Sequence, residues 1–108
     1  MDERSSHILV LITASSTDEA QVIGRALVEG RLAACVNIAS GARSLFRWQG
    51  KIEDQEEALM VVKSRSELFP SIIETVKRLH SYTVPEVISL PILAGSQDYL
   101  AWIDESIE

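Results

Sequence analysis

With 108 residues, 46% of them hydrophobic and 24% charged, the chain (1–108) has the make-up of one soluble globular domain and not of a disordered segment. Ten basic against sixteen acidic side chains leave a formal charge of −6, which excludes general binding to nucleic acid or an anionic membrane, since both need a basic face. A single cysteine, Cys35, excludes an internal disulfide framework and a multi-cysteine zinc site. The longest apolar runs, Ile8 to Ile12 and Ala58 to Val62, fall far short of the ~18 residues of a membrane-spanning helix. Met1 to Arg4 lead straight into a strand-like segment with no signal-peptide pattern, so a cytoplasmic protein is expected.

His7 to Thr13 is short, β-branched and apolar at alternate positions of both phases, the pattern of a strand covered on two sides. Ser16 stands three residues before Glu19 and predicts a capping box that opens a helix. Ala20, Ile23, Leu27 and Val28 follow at helical spacing, with Gly30 as the stop. Leu32 to Ile38 reads as a second strand, interrupted at Ser40-Gly41 and resumed from Ser44 to Trp48. Gln49-Gly50-Lys51 is a turn signal, and Ala58 to Lys63 is the returning strand of a long hairpin. Ser66 is the expected cap of a second helix whose stripe is Phe69, Ile72, Ile73, Val76 and Leu79, with Pro70 tolerated in the first turn. Lys77, Arg78 and His80 fall in its last turn, where the helix dipole favours cations. Val84-Pro85 forces extended backbone before a strand at Glu86 to Leu90, and Ser96 caps a final helix with Tyr99, Leu100, Ile103 and Ile107.

This β-α-β-β-α-β order predicts an α+β, ferredoxin-like antiparallel sheet with both main helices on one face and an additional C-terminal helix. The other face should then be polar, yet Leu9 and Leu11 oppose Ile8, Val10 and Ile12, and Leu59 and Val61 oppose Ala58, Met60 and Val62. Leaving such side chains in water costs roughly 1.5–3 kcal/mol each relative to burial. The final helix is too short to cover them all, so a homo-oligomer is expected.

Several strings are more specific than the periodicity. Ala33 to Asn37, Trp48-Gln49-Gly50-Lys51, Lys63-Ser64-Arg65, His80-Ser81-Tyr82, Val84-Pro85-Glu86 and Tyr99-Leu100-Ala101-Trp102 occur in this order. Together they resemble the CutA divalent-cation tolerance family from about Ile8 to Ile103. The resemblance implies a ferredoxin-like subunit in a tight homotrimer, architecturally similar to the PII signal proteins. It also implies a role in tolerance to copper or other divalent cations, without enzymatic activity or an obligatory cofactor. The copper site of some bacterial relatives uses a first-strand cysteine and two histidines ending the second helix. Here those positions hold Ile12 and Leu79-His80, and Ser81 stands where proline usually precedes the tyrosine.

His80 is therefore the leading metal-ligand candidate, with Glu86 as the nearest acidic partner for a weak site. Its competing reading is a helix-terminal histidine bonded to a backbone carbonyl. Trp48, Lys63, Tyr82 and Glu86 supply an aromatic face, a cation, a phenol and a carboxylate, the materials of a small-ligand cleft. The alternative function is accordingly a PII-like signalling trimer that binds a small ligand at its subunit clefts and touches a protein partner. The same four residues also suit interface packing, with Lys63 paired to Glu86. Cys35, in an Ala-Ala-Cys-Val strand, reads as a small packed side chain at a subunit contact and not as a nucleophile. Glu53 to Glu57 lacks the spacing of a calcium loop and reads as a solvated hairpin end.

Overall fold

The fold is seen in a computed structural model that describes residues 6–107; the leader reading at residues 1–4 lies outside the described residues. The elements are β1 (His7–Ala14), α1 (Thr17–Glu29), β2 (Cys35–Trp48), β3 (Lys51–Arg65), α2 (Phe69–Leu79), β4 (Val87–Pro91) and α3 (Gln97–Ser106). The sheet order is β2-β3-β1-β4 with every pairing antiparallel, the ferredoxin-like arrangement expected from the element order. Among the described residues no helix is long and apolar enough to cross a membrane.

Period-two alternation sorts β1 cleanly. Ile8, Val10, Ile12 and Ala14 are buried, and they join Met60 and Val62 of β3 beneath Ile23 and Leu27 of α1 and Ile72 and Val76 of α2. Close approach of α1 requires Gly24, where an added Cβ would lie 3.3 Å from Val36 Cγ1. Ser16 caps α1 by accepting from the Glu19 amide at 3.1 Å. Ser96 caps α3 through the Tyr99 amide at 3.4 Å.

The second face is only partly covered. Leu9, Leu11, Leu59 and Val61 are half-buried, while Ile88 and Leu90, their cross-strand neighbours on β4, stay 50% and 43% exposed. Helix α3 shields one end by burying Ile103, and Asp104 ties it to the sheet through His7 Nε2 at 2.9 Å and Arg65 Nη1.

Several boundaries differ from the sequence reading, β4 by one residue at each end (Val87–Pro91) and others by more. β2 begins at Cys35, because Leu32 and Ala33 donate their amides back to the Leu27 carbonyl at the end of α1. It then continues through Ser40-Gly41 as a bulge, since Ala39 pairs with Leu59 but Ala42 with Glu57. Gly41 has φ 83, a left-handed conformation that glycine adopts without strain. β3 starts at Lys51, directly after a two-residue turn with Gln49 at φ 52 and Gly50 at φ 80. The acidic run is therefore mid-strand and not a hairpin end, and Glu57 is buried. Ser66 does not cap α2. Its hydroxyl accepts from the Ser6 amide, and a 3₁₀ turn at Ser66–Leu68 leads into the helix instead.

Gly41→Val should therefore unfold at a lower denaturant concentration than wild type, by about 1–2 kcal/mol, because a β-branched residue is strained at this φ. Urea titration followed by circular dichroism checks it.

Candidate functional site

Beyond Ala58 the β2–β3 hairpin outgrows β1, whose pairing ends at Ala14. This arm and the α2–β4 loop enclose an open cleft of about 830 Å³, within the usual range of small-molecule sites. The bulge sets which side chains the arm offers. After it, Ser44, Phe46 and Trp48 lie across from Gln55, Glu53 and Lys51 on one face. Phe46, Trp48, Glu53 and Glu57 line the arm side of the cleft, and Tyr82, Val84 and Glu86 line the loop side.

The loop is fixed by a chain of hydrogen bonds. His80 ends α2, and its buried ring sits with Nε2 2.7 Å from the Thr13 carbonyl. Nδ1 accepts the Tyr82 amide at 3.0 Å, so the proton resides on Nε2 and is donated to Thr13. The rings of His80 and Tyr82 pack with centroids 4.6 Å apart. The Tyr82 hydroxyl then donates to Glu57 Oε2 at 2.6 Å. Burial, followed by the bond to Glu57 and the charges of Glu57 and Glu19, pushes this phenol up to about 12.

Glu19 holds the other side of the loop. Its Oε1 accepts from the Ser15 amide and hydroxyl, both at 2.8 Å, and its Oε2 accepts the Ser81 amide at 2.7 Å. Burial alone would raise its pKa, but the donors of Ser15 and Ser81 outweigh it and hold the carboxyl at about 2. The predicted capping box is thus half realised, with Glu19 reaching Ser15 and the distant Ser81.

Of the four residues read as cleft material, Trp48, Tyr82 and Glu86 line one cleft. Lys63 lies apart from its lining. It stands opposite Cys35 in the ladder and donates to Asn37 Oδ1, with Cys35 Sγ at 3.8 Å. Tyr99 of α3 lies against the same sulfur, and burial and then this neighbour raise its phenol pKa. Cys35 is half-buried there. Two contributors escaped the sequence reading. Glu57 shares the strand phase of Leu59 and Val61, a signal that would have placed it on the second face. Glu19 reaches Ser81 across 62 residues of chain, which local pattern cannot reveal.

The sequence pattern of the CutA1 divalent ion tolerance protein family matches residues 8–106. The chain belongs to the CutA1 family. It is 50% identical over 98 residues to the divalent-cation tolerance protein CutA of Thermus thermophilus, covering 91% of this chain and 95% of that protein. A solved structure of the divalent cation tolerance protein (Cut A1) from the same organism superposes with a TM-score of 0.92 at 48% identity, over 94% of this chain and 99% of that one. Mouse protein CutA is 43% identical over 97 residues, which span 90% of this chain and 55% of the mouse protein.

A CutA1 family member invites a test of whether its residues suit a bound metal. Both ring nitrogens of His80 are already engaged, so coordination there would sacrifice the Tyr82 or the Thr13 bond. Among the described residues no three His, Cys, Asp or Glu side chains converge to hold a metal ion. A tight transition-metal site needs three or four such donors. The His80 and Glu86 pairing therefore does not supply a tight metal centre in this arrangement.

Proposed function

We propose that this CutA1 family member acts in divalent-cation tolerance as a homotrimer with small-ligand clefts, and responds to conditions without carrying a chelated metal. The observation that carries this reading is the division of labour around Tyr82. His80 spends both nitrogens on holding the loop, and the held loop presents Tyr82 and Glu86 to a cleft of about 830 Å³. The trimer part rests on the half-covered second sheet face, where Ile88 and Leu90 stand exposed beside Leu9 and Leu11. On this reading the protein binds and signals, and catalyses no reaction.

Native mass spectra recorded with stoichiometric copper or zinc should show trimers without discrete metal ions, alike for wild type and His80→Ala. Ions retained by the wild type and lost in His80→Ala would overturn the reading and make the histidine a ligand. In cells lacking the protein, growth in excess copper should be restored by wild type but not by Trp48→Ala. Equal restoration by both would separate tolerance from the cleft.

A further inference from the structure

His80 sits among fixed partners that allow its ring one proton. The side chain has no exposed surface within the single chain, so subunit association leaves that burial unchanged. Nε2 lies 2.7 Å from the Thr13 carbonyl of β1, and Nδ1 lies 3.0 Å from the Tyr82 amide nitrogen. A carbonyl oxygen only accepts and an amide N–H only donates. A second proton, on Nδ1, would point at the Tyr82 N–H, break that bond and leave two donors face to face.

Another acceptor stands close to Nδ1. Glu19 Oε1 of α1 is 3.8 Å away, too far for a hydrogen bond and near enough to take one after a small turn of the ring. The Ser15 and Ser81 donors hold this carboxyl at about 2, so it is fully charged across the range of about pH 5–8 where imidazoles titrate. Those donors use three of its acceptor positions, and a carboxylate offers about four. Glu57 of β3 reaches the ring through the Tyr82 hydroxyl at 2.6 Å. The carbonyl end of α2, whose dipole favours a cation, terminates at His80 itself. Lys77 and Arg78 in that last turn are exposed, and water and salt screen them.

We propose that His80 is a proton-operated latch on the loop between α2 and β4. Neutral, it holds the Tyr82 amide and so keeps the Tyr82 hydroxyl on Glu57; protonated, it turns Nδ1–H to Glu19 and frees the Tyr82 segment. Opening takes up one proton per chain, so acid favours the freed loop and base the held one. The latch lies within one chain and goes beyond the ligand reading of the cleft, because it governs the loop whatever packs against it.

The test uses the full-length protein in proton–nitrogen NMR between about pH 8 and about pH 5. Its two histidines are told apart with His7→Gln. Long-range correlations report the tautomer and charge of each ring, and amide exchange, corrected for intrinsic rates, reports protection at Tyr82. The expected result is a neutral His80 ring with its proton on Nε2. Tyr82 protection should then fall in step with protonation of that ring, by up to tenfold per pH unit. In His80→Gln, whose amide can accept from Tyr82 and donate to Thr13 but cannot titrate, Tyr82 protection should not change with pH. A neutral ring carrying its proton on Nδ1 would overturn the latch, as would a ring that stays neutral throughout. So would a ring that charges while Tyr82 stays protected. Loss of Tyr82 protection that persists in His80→Gln would assign the switch to another group. Should that variant fail to fold, the paired ring and amide readings of the unsubstituted protein still decide.

Discussion

Glu19→Gln is expected to lower stability at neutral pH by about 3 kcal/mol, and the deficit should vanish in acid. The folded carboxyl sits at about 2 against a reference of 4.5, and each pK unit corresponds to roughly 1.4 kcal/mol. Because the folded value is depressed, the stabilisation is complete above pH 4.5 and is lost as pH falls toward 2. Glutamine has no charge to lose, so its curve lacks this component. Urea unfolding of both proteins at equal concentration, between neutral pH and pH 2, checks it through the difference between the curves. A difference that stays constant across that range would show that the Ser15 and Ser81 donors do not favour the charged carboxyl.

The second large effect separates the two faces of β1. Ile12→Ala empties a site with no solvent exposure between sheet and helices, and should cost roughly 2–5 kcal/mol at any protein concentration. Leu11→Ala, one residue away on the half-covered face, should cost less in the isolated subunit. Its loss should grow with protein concentration, as association adds to the stability of the wild type more than to that of the variant, and shrink to the isolated-subunit cost on dilution. Thermal melts over a hundredfold range of concentration, beside sedimentation, distinguish the two. Concentration-independent melting for both variants would argue against association through the second face.

Much of this fold is legible in the chain because periodicity and turn chemistry agree. The two phases of β1, the helical stripes on α1 and α2, and the caps at Ser16 and Ser96 are local signals, and the structure contains them, save that Val28 at the end of the α1 stripe is 42% exposed. Errors fall where a local cue was overridden from a distance. Ser66 has a capping residue's chemistry, yet the Ser6 amide claims its hydroxyl. Ser40-Gly41 looks like a strand break, yet pairing to β3 on both sides carries the strand through it.

The site is less legible for a similar reason. Tyr82, Trp48 and Glu86 were recognisable as residue types, and folding brings them to one cleft. The run from Glu53 to Glu57 looked like a solvated tip because five polar residues in a row carry no hydrophobic phase. Counting alternation outward from Leu59 would have turned Glu57 inward. Lys63 cannot be matched to Cys35 and Asn37 without the β2–β3 register, and register is a long-range property.

The bulge at Ser40-Gly41 is a phase shifter in the strand's two-residue clock. Upstream of it, odd-numbered residues of β2 share a face with the odd-numbered residues of β3; downstream, even-numbered ones do. Deleting Gly41 would let Ser40 fall opposite Ala58 and close the ladder, with Ala42 still paired to Glu57 and every later pair unchanged. Ser44, Phe46 and Trp48 would keep their face, and the arm would lose only the bend and extra twist that the bulge gives it. The extra residue thus re-aims the arm without re-addressing its side chains, which makes this dipeptide a place where relatives can differ by one residue and still share a register.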